Sequence, residues 1–487
     1  MLEDLLRDVK VVATICLQFG DSGKGKISHW LAEQWADVNA RGTGGANAGH
    51  TVIQDGHEVV YHLLPVGISY DSLGKVTVLG SGMVINPNEL SRELDELIKS
   101  GGSYNGLRID EDAGLVMPWN ISRDKQRNRS QANGGIGSTG KGIGPAYADR
   151  AARIDLKMRD IMFPDRVREK LPELRLAYPE FASEMRDEKV IEGLRKLADR
   201  FKQYVTNTTP IIHEAIKNGR RVNLEGAQGT LLSVNHGVGR YITSSDCAIN
   251  GTAAGVGISA GAVDMILGLV KFPFMTRVGA GPFPTEFGDK NSEEYCAAEI
   301  EGLPLHGMID ELESHRIPHE GNNYNIRDPE IVNLMNSSDP FLQGVGIRLS
   351  AGEYGATTGR PRRIGWTDAV AALYAININR PSDPNKLRLV ITKVDSVIGL
   401  DEFKIGCGYE QQGGKATTTF SRDEMVQRSL VPHYRTYDGY IEEVGNIRDY
   451  KKLPLNLRVA MKDFENFTKS QIGVVSVGKS NEQTIVV

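Results

Sequence analysis

Four short stretches of this chain combine residue types that could handle phosphate, a purine base and a multiply charged acid. The first is Gly20-Asp21-Ser22-Gly23-Lys24-Gly25-Lys26-Ile27. Its G-x-x-x-x-G-K spacing matches a phosphate-cradling loop, in which glycines let backbone N–H groups face an anion and a lysine reaches the outer phosphates. Ile27 stands where that motif carries the Ser or Thr that holds magnesium, so the metal needs another oxygen. Asp21 supplies a carboxylate inside the loop, and a helix beginning near Lys26 would turn its positive end to the anion. An ordinary glycine turn has no need of two lysines and an acid.

The second stretch, Arg41 to Thr51, is again glycine-rich and ends in Asn47-Ala48-Gly49-His50-Thr51. Beside a phosphate loop, His50 is a candidate acid or charge stabiliser; the alternative is a structural histidine. The third is Thr392-Lys393-Val394-Asp395, directly after the apolar run LRLVI, where α/β sheets bind ligands beyond the carboxyl ends of their strands. A carboxylate there can accept from guanine N1–H and the 2-amino group, a donor pair that adenine lacks, so GTP would be chosen over ATP; a polar loop cap is the plainer alternative. The fourth, Gly355 to Asp368, packs Arg360, Arg362 and Arg363 among glycines and threonines. Arginine forks take carboxylate and phosphate oxygens in pairs, and the glycines would let the loop close on a multiply anionic ligand.

The elements that must position these residues are those of an α/β fold. Val9 to Phe19 is β-branched and continuously apolar, as in a parallel strand covered on both faces, and Ile27 to Trp35 repeats apolar residues at helical spacing. Strand-like runs at Val76 to Leu79, Arg221 to Leu224 and Leu387 to Thr392 alternate with helical patterns such as Asn88 to Lys99, which predicts a large, mostly parallel doubly wound sheet. No repeat and no Gly/Ser or Pro-rich linker divides the chain, so residues 1–487 read as one domain. A charged stretch over about 159–202 reads as a solvated helical excursion, and a polar one over about 287–349 as a surface insertion. The latter holds His306, His315 and His319 without strict metal-ligand spacing.

With 487 residues, the chain needs no disulfide or structural metal to fold. A net charge of −5 offers no footprint for nucleic acid. Cys16, Cys247, Cys296 and Cys407 are far apart and form no C-x-x-C pair, and the first residues, Met-Leu-Glu-Asp, are acidic where an export signal is basic. Ala262 to Met275, the most apolar later stretch, is too short to span a bilayer and is broken by Asp264 and Lys271. A cytoplasmic protein without membrane partners is expected.

These elements, in this order, resemble the adenylosuccinate synthetase family, GTP-dependent ligases that join L-aspartate to IMP. The likeness runs nearly end to end through FGDSGKGK, NAGHT, GSTGKGIGPAYADRAAR, LEGAQGTLL, YITSS, TRVGAGPFPTE, GATTGRPRRIGWTD, TKVD and the terminal SVGK. The resemblance implies a homodimer using Mg2+, with Asp21 as the base at N1 of IMP, His50 stabilising charge, and Lys24 and Gln228 also catalytic. It implies that Gly20 through Lys26, Gly49 to Thr51, Arg362, Lys393, Val394, Asp395, Ser476, Val477 and Gly478 bind GTP. Asp21, Lys24, Asn47, Ala48, Gly49, His50, Thr139, Gln228, Thr243 and Arg360 would hold IMP, with Arg153 reaching across from the neighbouring subunit. Ala356, Thr357, Thr358, Gly359, Arg360 and Arg362 would enclose aspartate, and Asp21 with the Gly49 carbonyl would bind the metal.

The chain departs from the family pattern at Ser22, where Glu is usual, at His29, where many members have Asp, and over 287–349, which is longer than the usual link. The lost charge at Ser22 leaves open the same chemistry on another purine nucleotide, such as dGMP or GMP. A GTP-binding sensor without ligase activity is the reading from another class; it has no use for His50 or the arginine loop.

Overall fold

The computed structural model describes residues 2–54, 56–130, 138–296, 306–355 and 359–487. Among these, ten strands form the central sheet: Val11–Cys16 (β1), Val38–Arg41 (β2), Val76–Leu79 (β3), Leu107–Asp110 (β4), Val205–Thr206 (β5), Val222–Glu225 (β6), Met265–Lys271 (β7), Leu387–Thr392 (β8), Gln471–Ser476 (β9) and Thr484–Val486 (β10). Their spatial order is β10-β9-β8-β7-β1-β6-β2-β3-β4-β5. All neighbouring pairs are parallel except β9 with β10. β1 lies at the middle because both its faces are apolar: all six of its residues are buried. Ala13 sits opposite Leu224 of β6 on one side and Ile266 of β7 on the other.

This order places the carboxyl ends of β9, β8, β7, β1, β6 and β2 side by side on one edge of the sheet. From them issue, in turn, Ser476 to Gly478, Lys393 to Asp395, Lys271, Gly20 to Lys26, Gly226 to Gln228 and the Gly42 to His50 stretch. Residues up to about 450 positions apart in the chain thereby become neighbours.

The helix after β1 spans Lys24–Gln34 (α1) and so begins two residues earlier than Lys26. Gly23, at φ +86°, is its N-cap and has no side chain to cap the first turn. The first N–H groups therefore remain available to an anion. Two further helices matter for the site: Ile143–Ala152 (α2) and Pro340–Ala351 (α3).

Both presumed excursions pack more deeply than their charge suggests. Between 159 and 202 the chain is helical, but Val167, Leu171, Leu174, Met185, Leu194 and Phe201 bury themselves with Trp119 and Ile109 in a separate core. The 287–349 stretch is only partly a surface elaboration: residues 318–330 are mostly exposed, whereas every residue of α3 from Gly344 to Ala351 is buried. The sequence GVGI explains this, since a helix that is small and apolar around its whole circumference has no face for water. Among the described residues, no helix is long and apolar enough to cross a membrane.

Candidate active site

Backbone strain marks the site independently of any motif. Eight non-glycine residues among those described have positive φ, and three of them, Asp21 (51°), Gln228 (48°) and Lys393 (69°), stand on the turns after β1, β6 and β8. Such conformations cost of order 1–3 kcal/mol each and persist where surrounding structure imposes them. Asp21 and Gln228 sit on the turns after β1 and β6, and Lys24 Nζ spans these turns by donating to the Gln228 carbonyl at 2.6 Å. Gly25 lets the histidine stretch approach the loop: a Cβ there would stand 3.0 Å from His50 Cβ and 3.1 Å from the Thr51 carbonyl.

His50 is buried, and its Nδ1 lies 2.5 Å from Glu225 Oε1, at the end of β6. The other Glu225 oxygen accepts the Val66 N–H at 2.9 Å. Burial lowers the imidazole pKa, outweighing Glu225, while Lys24 and Arg41 push the same way. A neutral ring donating Nδ1–H to Glu225 leaves Nε2 for a ligand. Glu225 is thus a candidate site residue that motif reading passed over, although it stands within LEGAQGTLL. Nearby, Asn47 Oδ1 accepts the Gly45 N–H at 3.1 Å and its amide reaches Thr243 Oγ1 at 3.4 Å. The Gln228 amide nitrogen is buried with no hydrogen-bond partner, a donor ready for a ligand oxygen.

Asp21 is surrounded by cations. Arg362 Nε donates to its Oδ2 at 3.1 Å, and Lys271 Nζ lies 3.9 Å away. Burial alone would raise this carboxyl; Lys271, Arg362 and Lys393 outweigh it and hold it far below the usual carboxylate range. Lys271, at the end of β7, also contacts Glu353 at 2.5 Å and Thr276 Oγ1 at 2.9 Å. The second Glu353 oxygen pairs with Lys393 Nζ at 3.2 Å. The Glu353 carbonyl in turn accepts the Arg362 N–H at 2.9 Å, so one acid ties the arginine loop to both lysines. Lys271 and Glu353 lie outside the four stretches, and their partners are far off in sequence; only the fold reveals them.

The arginine loop is braced from behind by the 287–349 stretch. Arg348 of α3 and Glu311 form a buried pair at 2.7 Å, and Arg348 Nη1 donates to the Arg362 carbonyl at 2.7 Å. Tyr354 hydroxyl bonds the same Glu311. Arg360 is buried beside Arg362, and burial followed by that neighbour lowers its pKa. Gly359 adopts φ +66°. Ala356, Thr357 and Thr358 lie outside the described residues.

At the other end of the site, Lys26 Nζ donates to Ser476 Oγ (2.6 Å), the Gly478 carbonyl (2.7 Å) and the Gln483 carbonyl (2.8 Å). Burial pushes Lys26 down to about 7, against the pull of Asp395. The phosphate loop is thereby tied to the loops after β8 and β9 that carry Lys393, Val394, Asp395, Ser476, Val477 and Gly478. Ser22 is fully buried, its hydroxyl without a hydrogen-bond partner and its carbonyl accepting Thr392 Oγ1 at 3.1 Å.

Thr139 and Arg153 flank α2, apart from the Asp21 cluster. That helix is attached to the second glycine stretch through Tyr147, whose oxygen accepts the Gly44 N–H at 2.9 Å. Arg153 is exposed at its end. Among the described residues no three His, Cys, Asp or Glu side chains gather as a metal cluster. The donors at hand, the one-third exposed Asp21 carboxylate and the Gly49 carbonyl, are hard oxygens of the kind that hold magnesium together with substrate phosphates.

A family model described as adenylosuccinate synthetase matches residues 13–485. The adenylosuccinate synthetase of Neisseria meningitidis serogroup B (strain ATCC BAA-335 / MC58) is 34% identical over 485 residues, with 98% of each chain covered. That of Caldanaerobacter subterraneus subsp. tengcongensis is 33% identical, covering 98% of this chain and 99% of its own. The fully ligated adenylosuccinate synthetase structure from Plasmodium falciparum superposes with a TM-score of 0.80 at 26% identity, covering 98% of this chain and all of that one. The succinoaminodeoxyadenylate synthetase of cyanophage S-2L, bound to dGMP and dATP, has a TM-score of 0.54 at 16% identity, a likeness of fold alone.

Proposed function

The chain belongs to the adenylosuccinate synthetase family, GTP-hydrolysing ligases that join L-aspartate to IMP, and from that premise we propose how its residues divide the reaction. Asp21 takes the N1 proton of IMP, which concentrates electron density on O6. O6 then attacks the γ-phosphorus of GTP, GDP leaves, and a 6-phosphoryl purine results. The amino group of aspartate attacks C6, the C6–O6 bond breaks, and phosphate departs, a far better leaving group than hydroxide. Lys24 and the open N-terminus of α1 offset charge on the phosphates as it shifts.

The observation that carries this assignment is the contact between Asp21 and Arg362. An aspartate held ionised by three cations is a poor base until one of them leaves. Arg362 sits on the loop assigned to aspartate and GTP, so anionic ligands draw it off and raise the proton affinity of Asp21 when all substrates are present. The same logic applies to His50. The incoming phosphoryl group opposes the desolvation that keeps the ring neutral, and Glu225 orients it to donate from Nε2.

Gln228, through its unpartnered amide, with Asn47, Thr243, Thr139 and Arg360, holds IMP. Gly359, Arg360 and Arg362, with 356–358, enclose aspartate, and Lys393 to Asp395 with Ser476 to Gly478 frame guanine. Mg2+, held by Asp21 and the Gly49 carbonyl, would neutralise phosphate charge when bound. The protein acts in the cytoplasm as a homodimer, with the exposed Arg153 reaching a neighbouring subunit's IMP.

Phosphate release is the test, measured with GTP, Mg2+ and L-aspartate while the purine monophosphate is varied. Release that requires both IMP and aspartate is the expected result. Release stimulated by dGMP or GMP but not IMP would reassign the substrate, and release indifferent to both would indicate a sensor.

A further inference from the structure

The loop carrying Asp395 is gripped by its main chain in a way the reaction itself does not require. Lys393 enters it at φ +69°, and Val394–Val397 forms a single 3-10 turn. Three consecutive carbonyls of that turn each accept a hydrogen bond from a different side chain. Val394 O receives Tyr440 hydroxyl, Asp395 O receives Arg327 Nη2, and Ser396 O receives Ser350 Oγ at 2.7 Å. Arg327 Nη1 also donates to Ser350 Oγ at 3.2 Å, and its Nε faces Glu443 at 3.6 Å, so its guanidinium is fixed on three sides. Arg327 comes from the 287–349 stretch, between a short hairpin and the helix Pro329–Met335. From the same helix's end, Asn336 Nδ2 holds the Gly399 carbonyl at 2.8 Å.

We propose that Arg327, with Ser350 and Tyr440, forms a clamp of positioning residues that aims the Asp395 carboxylate at the nucleotide base and so sets the preference for guanine. Accepting from both N1–H and the 2-amino group requires the carboxylate to lie in the plane of the base edge, with both oxygens at hydrogen-bond distance. A carboxylate on a loop with unrestrained peptides can keep one of those bonds while losing the other. Pinning the peptide carbonyls on both sides of the Asp395 side chain removes that freedom, and ordering the loop before binding lessens the entropy lost on binding. The 287–349 stretch thus supplies a specificity device as well as the brace behind Arg362.

The inference rests on the assignment of Asp395 as the guanine reader, and the test separates the two. ITP keeps N1–H but lacks the 2-amino group, so the ratio of kcat/KM for GTP to that for ITP reports the two-bond geometry, whereas general loosening of the protein lowers both values together. Arg327→Met keeps the aliphatic stem and removes every donor. The ratio should fall about tenfold in this variant, with Arg327→Lys, which can still reach one carbonyl, recovering most of it. Asp395→Asn is the control for the reading and should collapse the ratio. Should Arg327→Met fail to fold, Tyr440→Phe, which uncaps the adjacent carbonyl, carries the same expectation. A ratio within twofold of the wild type in Arg327→Met, or an equal loss for GTP and ITP, overturns the clamp if Asp395→Asn still lowers it. An unchanged ratio in Asp395→Asn overturns the reading and the clamp with it.

Discussion

Removing Glu311 would test how the arginine loop is supported. Its partner Arg348 has a side chain only 2% exposed, and Glu311 itself is 1% exposed. Arg348 Nε lies 2.9 and 3.0 Å from the two carboxylate oxygens and Nη2 2.7 Å from one of them. Glu311→Ala therefore leaves a buried guanidinium without its counter-ion, at a cost of about 3–5 kcal/mol. That is a large part of the 5–15 kcal/mol by which a fold is usually stable. The double variant Arg348→Met with Glu311→Leu removes both charges and should return to within about 2 kcal/mol of the wild type. It does not restore the donor that Arg348 gave the Arg362 carbonyl. Urea unfolding and initial rates across aspartate concentrations read the two effects separately. Stability should drop in the single variant and recover in the double, while KM for aspartate rises in both. A single variant costing under about 1 kcal/mol would show that Glu311 does not neutralise a buried Arg348, and a KM that recovers along with stability would show that Arg348 does not brace the arginine loop.

Two further outcomes follow from buried acids. Glu225→Gln removes the charge that orients and stabilises the His50 ring; kcat should fall about 10- to 100-fold with KM for the three substrates changed less than about threefold, and an unchanged kcat would remove Glu225 from the mechanism. Asp368 caps the helix Ala369–Asn379 and accepts from Tyr409 hydroxyl at 2.6 Å, yet burial raises its carboxyl to about 6, against the Tyr409, Ala371 and Val370 donors. Because its folded pKa lies above the unfolded value of 3.8, the fold binds more protons between those pH values, and stability falls as pH rises through about 6. From pH 4 to 8 the wild type should lose about 2 kcal/mol relative to Asp368→Asn, and parallel stability–pH curves for the two would contradict this.

The parts of this molecule that could be read in its sequence are those built from neighbours in the chain. Leu387 to Thr392 is a strand with the same limits as its apolar run, and the glycine–lysine loop does lie between a strand and a helix. A continuous apolar run announces a strand covered on both faces, and glycine spacing announces a backbone that must approach something. The acids that tune the site were not legible in that way. Glu225 meets His50 across 175 residues, and Glu353 meets Lys271 across 82. Neither pair has a local spacing to betray it; only the tertiary fold brings each together. The 287–349 stretch misleads for a related reason. Its charge suggests solvent, but Glu311 neutralises Arg348 inside the fold and Arg327 turns to main-chain carbonyls. A charged residue whose partner is distant is indistinguishable in sequence from a solvated one.

Replacing Asp21 by Asn tests the proposed mechanism, because it removes the carboxylate proposed as proton acceptor while keeping the side chain's size and its place between β1 and α1. With GTP, Mg2+, IMP and aspartate saturating, phosphate release should fall by about 10²- to 10⁴-fold, while GTP and IMP, titrated separately, bind with Kd values within a few-fold of the wild type. Near-normal turnover in that variant would contradict the role assigned to Asp21 and the phosphoryl transfer built upon it.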